Sequence, residues 1–177
     1  MKLRETVRDT MRTDLLAMAE LPYGGEDVDQ LAHALQAGTL AVAAGSRPAL
    51  VAAALLHDVG RVPRVMDAFP ETPHEEAGAA YVSDLVGAEA GWLVGSHVLA
   101  KRALVATDPD YFALLSPASV RSLARQGGAA DAEEVQHFLR HPLAADAMQL
   151  RRWDDQAKDP QARPLPMDEL LDAALSG

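Results

Sequence analysis

The chain contains no cysteine. That excludes disulfides, thiolate ligands and thiol nucleophiles, so any metal must rest on His, Asp and Glu. Aromatic residues are scarce, at 5% of the 177, and the 49% hydrophobic content is dominated by alanine and leucine, a helix-favouring composition. Positive charge is also in deficit. Sixteen Lys and Arg against 26 Asp and Glu leave a formal charge of −10, which argues against nucleic-acid backbones and anionic membranes as partners. A local Lys/Arg cluster in such a chain would be aimed at something specific. No apolar run reaches the roughly 18 residues of a transmembrane helix. The first 18 residues, MKLRETVRDTMRTDLLAM, carry charge throughout and do not resemble a signal peptide. The expectation is one cytoplasmic domain spanning residues 1–177.

Period-2 alternation is almost absent, so no sheet is expected and the fold class is all-α. Helices are predicted at about 4–19, 26–44, 48–59, 74–86, 88–106, 116–125, 131–140, 143–158 and 167–175. Residues 61–73, with three prolines, are read as an irregular connection. The stretch ALVAAALLHDVG (49–60) organises the rest. It is apolar from Ala49 to Leu56, with Ser46 suited to the N-cap, Pro48 to the first turn and Gly60 to the left-handed position past the end. A helix apolar on every side is buried. Its last turn then carries His57 and Asp58 inward, where charge must be paired or metal-bound.

Taken singly, the other polar residues are ordinary. His33 falls off the Val28/Leu31/Leu35 stripe, and Glu26 reads as a first-turn acid. His97 lies in an apolar helix with Lys101 one turn on, and Arg102 is expected to face solvent. Ser119 follows a Ser116/Pro117 cap, where a hydroxyl and free N–H groups can meet an anion. Arg151, Asp154 and Lys158 (i, i+3, i+7) read as one polar, solvated helix face, while His137 and His141 receive no role. Together, however, His33, His57, His74 and His97 fall on four helices around Asp58, with Asp154 on a fifth. Imidazole and carboxylate in this mixture suit iron, manganese or zinc, and six ligands suit two bridged ions better than one.

The order H…HD…H…H…D resembles the HD-domain superfamily. Finer blocks are more specific: YGGEDVDQLAHALQ (23–36), AALLHDVG (53–60), HEEAGAAYV (74–82), HVLAKRALV (97–105), LSPASVRSLARQGG (115–128) and RRWDDQAK (151–158). They are similar to the HD-domain phosphonate oxygenases, typified by 2-amino-1-hydroxyethylphosphonate dioxygenase. The resemblance implies an HD-domain bundle of about eight or nine helices. It also implies a mixed-valence Fe(II)/Fe(III) di-iron site that cleaves a carbon–phosphorus bond with O2 as co-substrate. The implied iron ligands are His33, His57, Asp58, His74, His97 and Asp154, with Asp58 bridging. Tyr23 would close the open iron position before substrate arrives, and Glu26 would pair with a substrate amino group. Lys101, Ser119 and Arg151 would hold the phosphonate, for which an Arg fork and a Lys ammonium are apt.

One position departs from the pattern. After HDVG, where the family has a substrate-facing histidine, this chain has Arg61. It is expected either to add a second anion contact or to form a surface ion pair. The competing readings are an HD phosphohydrolase, in which a metal-bound water attacks a small phosphate ester or nucleotide, and a helical binding or sensor domain without turnover. An oxygenase of an uncharged diol would leave the Lys101/Ser119/Arg151 set without a use.

Overall fold

The computed structural model describes residues 2–176. The described residues form eleven α-helices and one 3-10 turn, with no strand and a single isolated bridge between Pro22 and Asp29. The nine expected helices are α1 (Lys2–Met18), α2 (Gln30–Ala43), α3 (Pro48–Leu56), α5 (His74–Leu85), α6 (Ala88–Thr107), α8 (Pro117–Arg125), α9 (Ala132–Leu139), α10 (Ala144–Gln156) and α11 (Met167–Ala174). Two short ones were not expected. Helix α4 (Pro63–Ala68) and the 3-10 turn Val59–Arg61 occupy the supposedly irregular connection, and α7 (Tyr111–Leu114) precedes α8. Both helices are too brief for periodicity to register, and Pro63 begins α4 rather than breaking it.

Helix α3 is the buried axis. Leu50 to Leu56 are all buried, and α3 packs against α2, α5, α6, α10 and α11. Its start differs from expectation: Arg47, not Ser46, is the N-cap, and no side chain caps the helix. Arg47 instead ties the helix entrance to α6 and α10 through ion pairs with Glu89 and Asp146. The end also differs. Gly60 does not adopt a left-handed conformation; a Cβ on it would lie 1.9 Å from the His74 carbonyl oxygen. Glycine is needed there because the start of α5 presses against the α3 exit, and that approach brings His74 to Asp58.

Helices α5 and α6 pack closely through small residues, since a Cβ on Gly91 would meet Ser83 Oγ at 1.9 Å and Ala79 O at 2.7 Å. Helix α1 lies outside, burying Met11, Leu15 and Met18. Its fully buried Asp14 accepts from Arg64 Nε (2.6 Å) and Tyr81 OH (2.7 Å), linking α1 to α4 and α5. Arg102 is not solvent-facing: it forks onto Glu134 with two 2.7 Å bonds, joining α6 to α9. His141 stacks on Trp92 at 3.6 Å, a packing role.

Candidate metal centre

The helical frame brings the six proposed ligands to one place. His33 comes from the first turn of α2, His57 closes α3, and Asp58 follows it. His74 begins α5, His97 lies within α6 and Asp154 within α10. His33, His57, Asp58, His97 and Asp154 are buried, His33 included although it falls off the Val28/Leu31/Leu35 stripe. Helix α2 turns that residue inward toward α3 and α10.

The donor atoms form two groups that share Asp58. Ligand atoms of His33, His57 and Asp58 lie within 4.8 Å of one another, as do those of Asp58, His74 and His97. One Asp58 oxygen faces each group: Oδ2 is 3.9 Å from His57 Nε2, and Oδ1 is 3.2 Å from His74 Nε2 and 3.9 Å from His97 Nε2. Asp154 Oδ1 stands 3.3 Å from His33 Nε2 and 3.9 Å from His57 Nε2.

The protons reveal what such a centre would hold. His33, His57 and His97 each donate Nδ1–H to a backbone carbonyl, of Ala157 (2.8 Å), Ala54 (2.9 Å) and Val94 (2.6 Å). A carbonyl only accepts, so in each neutral ring Nε2 carries the lone pair. His33 Nε2 and His57 Nε2 then face each other at 2.9 Å. Two lone pairs at that separation need either a proton or a metal ion between them. Burial keeps His57 below the usual histidine range and pushes His97 down to about 3, with the neighbouring His74 adding to the latter. Neutral imidazoles oriented by carbonyls, beside carboxylates, are a metal-ligand set with its supporting hydrogen bonds in place. Burial opposes ionisation of Asp58 and Asp154, but Arg61 beside the first and Arg151 beside the second outweigh it, holding both well below the usual carboxylate range.

A cavity of about 210 Å³ opens onto the second group. Tyr23, Glu26, Arg61, Lys101, Ser119 and Arg151 all line it. Tyr23 donates to Asp154 Oδ1 (2.9 Å) and stacks on His33 at 3.9 Å. Burial, then the nearby Asp154 and Asp58 charges, raise its pKa well above that of free tyrosine. Glu26 is not in a helix; Asp29 caps α2, and Glu26 follows the tight turn at Gly24 and Gly25, accepting from Ser116 Oγ. Lys101 Nζ donates to Ser122 Oγ (2.8 Å), and burial, then Arg151, lowers its pKa to about 8. Arg151 and Asp154 face inward, contrary to the solvated face expected, and Arg151 is already paired with Asp154 and Asp155. Arg61 lines the cavity and makes its ion pair there, not on the outer surface. Its Nε donates to Asp58 Oδ1 (3.0 Å) and its Nη2 reaches His74 Nε2 (2.9 Å).

Several polar groups here had no site role from sequence. Lys158, just past the end of α10, folds back so that Nζ donates to Ser119 Oγ (2.9 Å) and lies 4.0 Å from Glu26. Ser122, Arg125, Gln126 and Gln30 also line the cavity. The buried amide oxygens of Gln30 and Gln126 have no hydrogen-bond partner among the described residues. Only the spacing of Lys158 from Arg151 hinted at any of them.

A family model described as the HD domain matches residues 31–154, the span from just before the first proposed ligand to the last. The chain belongs to the HD-domain family. This HD domain is 39% identical over 141 residues to the 1-hydroxy-2-(trimethylamino)ethylphosphonate dioxygenase (glycine-betaine-forming) of Leisingera caerulea, covering 77% of this chain and 72% of that protein. It is 40% identical over 141 residues to the hydroxymethylphosphonate dioxygenase of Gimesia maris, covering 75% and 69%. No helix among the described residues is long and apolar enough to cross a membrane.

Proposed function

We propose that this HD domain is an iron-dependent oxygenase. It cleaves the carbon–phosphorus bond of a small hydroxyphosphonate, with or without an amino group, using O2. The observation that carries the reading is the pair of His/Asp groups sharing Asp58 at the end of a cation-lined cavity. The named relatives act as dioxygenases on phosphonates, and the cavity chemistry here suits that substrate class. The reaction balances without an external reductant. R–CH(OH)–PO3(2−) plus O2 gives R–COO(−), HPO4(2−) and H(+): the C–P and C–H bonds break, and the substrate supplies all four electrons that reduce O2.

The metals are two irons in a mixed-valence Fe(II)/Fe(III) pair, held by His33, His57, Asp58, His74, His97 and Asp154, and they supply O2 binding and one-electron chemistry. The chain's own residues supply position and charge. Lys101, Ser119 and Arg151 face the phosphonate, with Lys158 charging the Ser119 hydroxyl from behind. Arg151 contributes mainly positive potential, because its donors are already shared with carboxylates. Glu26 and the unpartnered Gln30 oxygen are acceptors for a substrate ammonium or hydroxyl. Tyr23, protonated and bound to Asp154, covers the first group from the cavity side until substrate displaces it.

The test is iron-loaded protein prepared anaerobically. About two irons per chain, a mixed-valence EPR signal after partial oxidation, and equal amounts of O2 consumed and phosphate released from hydroxymethylphosphonate or 2-amino-1-hydroxyethylphosphonate are expected. Phosphate-ester hydrolysis supported by manganese or zinc and indifferent to O2 would instead establish a phosphohydrolase.

A further inference from the structure

The two donor groups are not equivalent, and the difference is Arg61. In the first, none of the donor atoms of His33, His57 and Asp58 Oδ2 is held by a described Lys or Arg, and Arg151 takes Oδ2 of the neighbouring Asp154, leaving Oδ1 toward His33. The second has such a cation. Arg61 Nε binds Asp58 Oδ1 at 3.0 Å and Nη2 binds His74 Nε2 at 2.9 Å, so one guanidinium engages two of the three donor atoms of that group. A guanidinium is always protonated and only donates. His74 Nε2 must therefore present its lone pair to it, with the ring proton on Nδ1, which lies 2.9 Å from Glu75 Oε2. The atoms held by Arg61 are thus in the protonation state a metal would require.

We infer that Arg61 is an internal cation that competes with the second metal ion for Asp58 and His74, so that the two positions fill in order. This rests on the metal reading above. Its backbone is fixed, with N–H donating to Asp58 O at 3.0 Å in the 3-10 turn. Its side chain, by contrast, is 44% exposed while Asp58 is 7% exposed. The guanidinium can leave without unpacking the core; the carboxylate cannot. The first ion enters without displacing any charged side chain. The second must remove Arg61 from both donors, and the released guanidinium stays at the cavity wall, beside the substrate position. A lone surface ion pair would contribute little, but a two-pronged, charge-assisted contact to a buried carboxylate is worth about a tenfold change in affinity or more.

The experiment is titration of metal-free protein with Mn(II), following free ion by EPR, for wild type, Arg61→Gln, Arg61→Met and Arg125→Gln. Arg125 is exposed, lines the same cavity and makes no contact with either donor group. Wild type should bind one ion tightly and a second at least roughly tenfold more weakly, as loss of a charge-assisted contact implies. Both Arg61 variants should tighten the second step about tenfold or more and leave the first unchanged, which also shows that they are folded. Arg125→Gln should change the second step much less. Unchanged or weakened second-ion binding in both Arg61 variants overturns the inference while leaving the two-metal reading intact. Equal tightening in Arg125→Gln also overturns it, reducing the effect to bulk charge. Absence of binding in every protein overturns both readings.

Discussion

Gly60→Ala tests how the fold positions the centre. The new Cβ would lie 1.9 Å from the His74 carbonyl oxygen, 2.7 Å from its carbon and 3.0 Å from Gly78 N. All three are backbone atoms, so no rotamer change relieves them. Reaching ordinary contact at 3.4 Å requires the start of α5 to move about 1.5 Å from the α3 exit. Overpacking of this kind costs about 3 kcal/mol, the upper end of the usual range. At 2–4 °C per kcal/mol for a chain of this size, Tm should fall by roughly 6–12 °C. The functional effect is selective. His74 Nε2 is 3.2 Å from Asp58 Oδ1, so a displacement of half that length opens the second group. The first group draws on α2, the α3 end and α10, and the new Cβ meets none of its histidines. Thermal unfolding by circular dichroism and metal analysis after anaerobic iron loading should give a destabilised protein holding close to one ion per chain. Gly45→Ala is the comparator: φ is +69° but nothing lies within 4 Å, so it should cost about 1 kcal/mol and no metal. A Gly60→Ala protein with wild-type Tm and both ions would refute the reasoning.

Three further outcomes are expected. Asp14→Asn removes a fully buried carboxylate from Arg64 and Tyr81, and should lower unfolding stability by about 3 kcal/mol in urea with metal content unchanged; parallel loss of metal would show that α1 also supports the centre. Lys101 binds an anion in its charged form, which burial and Arg151 limit to pH values below about 8, so KM for the phosphonate should rise as pH passes 8. Lys101→Arg, charged throughout, should flatten that rise, and an identical profile would exclude Lys101 as the titrating group. For stability of the free protein the sign is opposite: the unfolded chain keeps this proton to about 10.5, so the group's contribution increases from about pH 8 upward. Finally, an ion at a hundred times its Kd should stabilise the protein by about 2.7 kcal/mol, or roughly 5–11 °C in Tm, by relieving the 2.9 Å apposition of His33 and His57. His57→Ala should abolish that rise in calorimetry, and an undiminished rise would place the ion elsewhere.

The long helices and the convergence of the His and Asp residues were legible in the sequence because packing and periodicity express the same fact. A helix apolar on every side must be central, so its terminal His57-Asp58 must be inside, and helices packed on it must turn their histidines toward it. The cavity wall was less legible. Lys158 was assigned to a helix face at i+7 from Arg151, but α10 ends at Gln156 and the side chain returns across Ser119, a path no helical spacing encodes. Glu26 was assigned to a first turn, yet the helix begins only after Asp29 caps it, and the acid is placed by a glycine turn. Gly60 was recognised for its position in the chain but given the wrong cause, since the demand comes from His74, remote in sequence. Arg61 follows the same logic. Its place where the family has histidine suggested an anion contact or a surface ion pair; the 3-10 turn directs it back onto Asp58, and the α5 start supplies His74. Local pattern therefore specifies which residues are inside, while non-local approach decides which donors meet. The second donor group depends on one such approach, between Gly60 and His74, and on one such return, by Arg61. Substitution at either should change metal occupancy there before it changes the first position.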